Sequence, residues 1–235
     1  MIPQEVERLN AQFERAHPTE IIRWAVETFR PDVAMTSSFG AESAALIHLA
    51  IQVDSAISIR MVDTGFLFPE TLQFVEELTT RFQLHVGVFK TTMDVERFKR
   101  EHAHLPPAHP DYCCGDYKVE ATERALAGLR GWITGIRRDQ AATRAATPFV
   151  EVLAGGLVKI APLAGWSRAQ IHDYMTAHQL PYHPLWSQGY TSIGCWPCTQ
   201  KPADPNDPRS GRWAGQDKTE CGIHDIGKPP KPDES

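Results

Sequence analysis

Five cysteines pose the first chemical question in this 235-residue chain. Cys113 and Cys114 are adjacent, Cys195 and Cys198 bracket Trp196-Pro197, and Cys221 stands alone in Lys218-Thr219-Glu220-Cys221-Gly222-Ile223-His224. CxxC spacing lets two thiolates reach one centre through a tight turn. Neighbours on a helix point about 100° apart, so an adjacent pair shares a single ion awkwardly. A cluster of several irons can take one thiolate per iron. The spacing favours a 4Fe–4S cluster and leaves a four-thiolate zinc site open. Cys221 has no partner in either pair, and Lys218 and His224 beside it favour a thiolate. In a mobile segment that is a nucleophile able to meet a substrate and then a second protein; an incidental exposed thiol is the bland alternative.

The cations and small residues suggest an anion. Ser37, Ser38, Phe39, Gly40 and Ser43 lie at an expected strand-to-helix turn, where backbone N–H groups and hydroxyls can meet a phosphate. No Lys follows, so this is not the GxxxxGK[ST] loop. Thr64, in Val62-Asp63-Thr64-Gly65, falls at the end of a second expected strand. Gly135, Arg137 and Arg138 follow a later one. Arg209 and Arg212, three apart around Gly211, can fork onto phosphate or sulfate oxygens. Lys118 follows Cys114 by one helical turn and could couple the cysteines to such an anion.

The elements that must position these residues alternate. Apolar periodicity predicts helices over 4–16 and 19–29, with Thr19 as N-cap, then a strand at 33–37 and a helix at 41–52. A strand at 57–62, a helix at 69–82 opened by Pro69, and a strand at 84–89 follow. A polar stretch (102–112) leads to a helix at 115–128 and a strand at 132–135. Two short strands, 150–153 and 157–160, form an expected hairpin around Ala154-Gly155-Gly156, and a helix spans 167–178. This alternation predicts an α/β fold: a single domain with a mostly parallel sheet flanked by helices. From residue 181 periodicity fades, and IGKPPKPDES reads as disordered. The expected division is a nucleotide-binding domain over 1–200 and a flexible C-terminal segment, 201–235, carrying Cys221.

Composition bounds the function. A net charge of −5 argues against a general nucleic-acid binder, though a few placed cations suffice for a small anion. Apolar runs such as 44–51 fall far short of the roughly 18 residues of a membrane span. The N-terminus, MIPQEVERLNAQFERAHP, has no apolar h-region, so a cytoplasmic location and metal or catalytic use of the cysteines are expected over disulfides.

Taken together, these pieces resemble the assimilatory sulfonucleotide reductases of the PP-loop, adenine nucleotide α-hydrolase-like superfamily, in their iron–sulfur, adenylyl-sulfate-reducing form. Cys113-Cys114-x-x-x-Lys118, Cys195-x-x-Cys198 and the Glu220-to-His224 tail carry the resemblance. Phe39 and Glu42 depart from the loop of ATP pyrophosphatases in that superfamily, which counts against ATP cleavage. The resemblance implies a 4Fe–4S cluster on Cys113, Cys114, Cys195 and Cys198, with Cys221 as nucleophile. Lys118, Arg209, Arg212 and His224 would surround the phosphosulfate. Ser37, Ser38, Phe39, Gly40, Ser43, Thr64, Gly135, Arg137 and Arg138 would hold the nucleotide. It implies reduction of adenosine 5′-phosphosulfate (APS) to sulfite and AMP through a cysteine S-sulfonate. A 3′-phosphorylated substrate (PAPS) is the alternative, since members lacking the four cysteines use it and some cluster-containing members accept both. A zinc-stabilised nucleotide-binding or RNA-modifying protein is a third reading. Reduced thioredoxin or glutaredoxin as electron donor, and a homo-oligomer, are implied as well.

Overall fold

In the computed structural model, residues 1–92, 94–96, 100, 110–204 and 207–227 are described. The tail beyond 227 and most of the polar stretch at 102–112 lie outside them. Two N-terminal helices pack over one end of the sheet. Helix α1 (Pro3–Phe13) buries Leu9 and Phe13, and α2 (Pro18–Phe29) buries Ile21, Ile22, Ala25, Val26 and Phe29. The cap of α2 is His17 and not Thr19. Pro18 takes the first helical position, so the ring of His17 accepts from Thr19 N (3.4 Å) while Glu20 accepts from His17 N (3.1 Å).

Strands β1 (Val33–Thr36), β2 (Ser58–Asp63) and β3 (His85–Lys90) alternate with helices α3 (Ser43–Val53) and α4 (Pro69–Phe82). Helix α3 is largely apolar, burying Ala44, Ala45, Leu46, Ile47, Leu49 and Ala50, with His48 and Gln52 on its more open side. The expected helix at 115–128 is a composite. A turn, α5 (Pro110–Cys113), passes into a π-helical stretch (Cys114–Val119) and then α6 (Glu120–Leu126). The wide turn begins at the second of the paired cysteines and ends just after Lys118, the kind of irregularity that concentrates at functional sites. Strand β4 (Gly131–Ile133) runs under α2 so closely that a Cβ on Gly131 would lie 2.8 Å from the Phe29 ring. Strands β5 (Val150–Val152) and β6 (Val158–Ile160) form the expected hairpin, and α7 (Arg168–Ala177) follows with a Ser167/Gln170 capping box, before short turns at Pro184–Gln188 and Trp196–Cys198.

The six strands run in the order β3-β2-β1-β4-β6-β5, all neighbours parallel except β5–β6. Strands β2 and β4 flank β1, so the chain leaves β1 toward one side and later returns on the other. That makes the carboxyl ends of β1 and β4 the topological switch point, where such sheets open a crevice.

Candidate active site

A cavity of about 220 Å³ occupies that crevice. One wall is the loop after β1: Ser37, Ser38, Gly40, Glu42 and Ser43, at the N-terminus of α3. The loop is tied to itself, with Phe39 N donating to Ser37 Oγ (3.1 Å) and Ser43 Oγ donating to the Gly40 carbonyl (2.9 Å). Phe39 does not line the cavity. Its backbone takes a positive φ of 47° and its ring is buried in the core, so it anchors the loop from beneath.

Thr134, Gly135, Ile136 and Arg137, after β4, form the facing wall. Arg137 is only 4% exposed and already bonded to Glu42 and Asp139, each at 2.9 Å. Arg138 departs from expectation. Its guanidinium forks onto Glu14 (2.8 and 3.0 Å), lies 4.8 Å above the Phe149 ring and bonds the Thr147 carbonyl, away from the cavity. The turn Arg138–Gln140 begins between these two arginines and sends them apart.

The tail supplies the roof. Gln200 N donates to Gly211 O (2.8 Å), and a Cβ on Gly211 would strike the Gln200 carbonyl, so only glycine permits this approach. Arg209, Arg212, Cys221 and His224 then join Lys118 around the cavity. Trp213 gathers the cations: Arg212 lies 4.6 Å above its ring, Lys218 5.7 Å and Arg209 5.9 Å. The segment over 207–227 is therefore docked, with Cys221 8% exposed.

A second chamber lies behind this roof. Cys113, Cys114, Cys195 and Cys198 line it with Phe66 and Tyr117, and Thr64 belongs here and not to the first cavity. Thr64 Oγ1 is 3.3 Å from Cys195 Sγ. The CxxC turn is pinned beneath the loop after β2 by a bridge between Leu67 and Cys195 and by Trp196 N donating to Phe66 O (2.8 Å). None of the five cysteines is in a disulfide. Among the described residues, no three Cys, His, Asp or Glu side chains converge tightly enough for one metal ion. Lys118, Arg212, Trp213 and Cys221 line both chambers and so form the wall between them.

Charge separates the cysteines. Burial and the thiols of Cys195, Cys114 and Cys198 push Cys113 up to about 12, and burial with Cys221 and Cys195 pushes Cys114 up to about 11 despite Lys118 and Lys218. Burial also acts against a thiolate at Cys221, but the Lys118 ammonium, the Ile223 N–H and Arg212 outweigh it and the net shift is downward. Burial works against the Lys118 ammonium too, and the Cys221 and Cys195 sulfurs reverse that. His224 falls well below the ordinary imidazole range, through burial and then Arg144, Lys159, Lys118 and Arg209, so it is neutral at pH 7. Its Nδ1 is buried with no partner among the described residues, and its ring lies 6.1 Å from that of Trp132 and nearly parallel to it.

Arg144, Gln140, Glu42, Thr191 and Ser192 line the cavity without having been singled out in the sequence. Arg144 lies seven residues beyond Arg137 in a separate turn, and nothing in its neighbours marks it. Glu42 was visible only as a departure from a loop pattern.

An anion-sized crevice at an α/β switch point, roofed by a cation-rich tail with a thiol at its inner wall, defines a nucleotide-binding protein equipped for thiol chemistry. Residues 32–201 match the phosphoadenosine phosphosulfate reductase domain, and the chain belongs to that family. It is 43% identical to an adenosine 5′-phosphosulfate reductase of Mesorhizobium japonicum, over 92% of this chain and 85% of that one. It is 40% identical to a phosphoadenosine 5′-phosphosulfate reductase of Gloeobacter violaceus, over 93% of each chain. The crystal structure of a phosphoadenylyl-sulfate reductase from Candida auris superposes with a TM-score of 0.72 at 31% identity, covering 83% of this chain and 96% of that one.

Proposed function

We propose that the protein reduces APS to sulfite and AMP through an S-sulfonate on Cys221, with reduced thioredoxin or glutaredoxin as electron donor. The observation that carries this is the position of Cys221 in the wall of the anion cavity, buried, with its thiol held down by Lys118 and Arg212. Its thiolate attacks the sulfo sulfur, the bond from sulfur to the bridging phosphate oxygen breaks, and AMP leaves with the electron pair. Lys118, Arg209 and Arg212 line the cavity and face the charge on the sulfonyl and phosphate oxygens, which preorganised cations stabilise. Neutral His224 offers a polar Nδ1 and no added charge. A thiol of the donor then attacks Cys221, sulfite departs, and the second donor thiol resolves the mixed disulfide.

Four sulfurs line one chamber, two of them adjacent on a helical turn, a donor set that several metal ions can share with one thiolate each. Cys113, Cys114, Cys195 and Cys198 would hold a 4Fe–4S cluster, which when bound supplies a structural tie and a local field while the electrons come from the dithiol. Iron and acid-labile sulfide in anaerobically prepared protein support this; one zinc and no iron would overturn it.

Incubation with APS and no reductant tests the nucleophile. A sulfonate-sized mass increase on the Cys221 peptide is expected, and an adduct elsewhere removes Cys221 from that role. PAPS is the second reading, favoured by the name of the Gloeobacter relative. Kinetics with both nucleotides decide between them, and higher kcat/KM with APS is expected.

A further inference from the structure

Cys221 is held from both sides, and the two attachments differ in kind. On its C-terminal side, Lys159 Nζ donates to His224 O (3.1 Å), Ala154 N donates to Gly227 O (3.0 Å), and Ile226 packs against Leu126, Trp132 and Leu153. Those contacts are apolar or use the tail's main chain, with Lys159 as a charged donor, and none of them involves the Glu220 carboxylate. On its N-terminal side the hold is polar: Lys218 pairs with Asp111, and the nearest grip on Cys221 centres on the carboxylate of Glu220. Arg144 grips it with both arms, Nε to Oε1 at 2.7 Å and Nη2 to Oε2 at 2.6 Å. Thr143 Oγ1 donates to Oε1 (3.1 Å), and Arg209 reaches Oε2 (3.4 Å) and the Thr219 carbonyl (2.8 Å). Arg144 is braced in turn by Gln140 (2.5 Å), whose side chain also accepts from Arg137 N (3.1 Å). The grip is thus built on the same loop that walls the cavity.

We propose that Arg144 is a positioning residue that sets Cys221 in the cavity through Glu220, and that this clasp is the part that yields when the sulfonated cysteine passes to the reductant. The inference rests on Cys221 being the nucleophile. Glu220 is adjacent to Cys221 in sequence, so fixing its carboxylate fixes the cysteine backbone. A bidentate, charge-assisted pair does this with more directional force than a lone ammonium would. Release follows from competition. A sulfonate on Cys221 places new anionic oxygens one residue from Glu220, in the cavity that Arg144 and Arg209 both line. The carboxylate and the sulfonate then compete for the same two guanidinium groups, and the clasp weakens while the sulfonate is fixed to the adjoining residue. The C-terminal attachment through Lys159, the Gly227 carbonyl and Ile226 keeps the tail tethered meanwhile.

The test uses cluster-loaded, full-length protein carrying Arg144→Gln, Glu220→Gln, both together, or the conservative Glu220→Asp. Without substrate, iodoacetamide alkylation of the Cys221 peptide is followed by mass on the alkaline plateau, where the thiolate fraction no longer differs between variants. Each glutamine variant is expected to alkylate about tenfold faster, the factor set by losing a charge-assisted hydrogen bond. The double variant should be no faster than either single, and Glu220→Asp should fall between. In single turnover with APS, AMP release should slow, while sulfite release from pre-sulfonated enzyme by reduced thioredoxin should not. Unchanged alkylation in the variants overturns the clasp. So does a raised KM for APS in Arg144→Gln with wild-type behaviour in Glu220→Gln, because Arg144 would then act on substrate alone. Faster alkylation in a protein whose wild type never reduces APS or PAPS keeps the clasp and defeats the proposed function.

Discussion

Two chambers share one wall, and each treats its cysteines differently. In the inner chamber the sulfurs face one another, and burial together with mutual repulsion pushes Cys113 up to about 12. At the wall, Cys221 is as well buried as Cys113 and Cys198, yet its thiol is pulled down because its neighbours are Lys118, a backbone N–H and Arg212. Burial is common to both, so neighbouring charge decides which thiol is drawn toward its ionised form and which is held protonated in the absence of a cationic partner. Lys118 takes part on both sides, lining each chamber and lowering Cys113, Cys114 and Cys221 alike.

The largest test of that contrast is Cys221→Ser. It is expected to abolish APS turnover while leaving iron content and visible absorbance unchanged; loss of the absorbance would erase the distinction between the two sets. Cys198→Ala should do the reverse, losing iron and labile sulfide, with activity falling as a consequence. Lys118→Met tests the wall itself. Its charge lowers the Cys221 thiol, so its removal raises that thiol and moves the acidic limb of the pH–rate profile to higher pH. A fall of about 10² in single-turnover rate is expected, the usual scale for losing one preorganised donor; an unmoved limb would mean that Lys118 does not tune Cys221. The smallest effect belongs to Arg138→Ala. Its pair with Glu14 is surface-exposed and off the cavity, so activity should hold and unfolding free energy should drop by about 1 kcal/mol or less. A raised KM for APS would bring Arg138 back to the nucleotide.

Much of this was legible locally. The pairing of Cys113 with Cys114, the CxxC turn and the Glu220-Cys221-Gly222-Ile223-His224 tail are short-range patterns, and the strands and helices follow from apolar periodicity to within a few residues at their ends. The departures are local as well: His17 and not Thr19 caps α2 because Pro18 takes the first helical position, and the Phe39 ring turns into the core while its loop lines the cavity. Arg144 and Lys159 were not legible, since each meets the tail from 65 or more positions away. Residues 207–227 meet the domain through those partners, and the tail beyond 227 lies outside the described residues.

Sequence alone determined the inventory: an alternating α/β chain, small residues after the first strand, four cysteines in two tight pairs and a fifth with cations around it. Spacing encodes these things because a turn or a helical period fixes which near neighbours can meet. Tertiary structure decided that Cys221 shares a wall with the other four, that Arg137 is committed to Glu42 and Asp139, and that Glu220 is gripped by Arg144. The reason is physical. A thiol's charge depends on every group that burial brings near it, and those groups come from strands and loops whose proximity is set by the order β2-β1-β4 and not by distance along the chain.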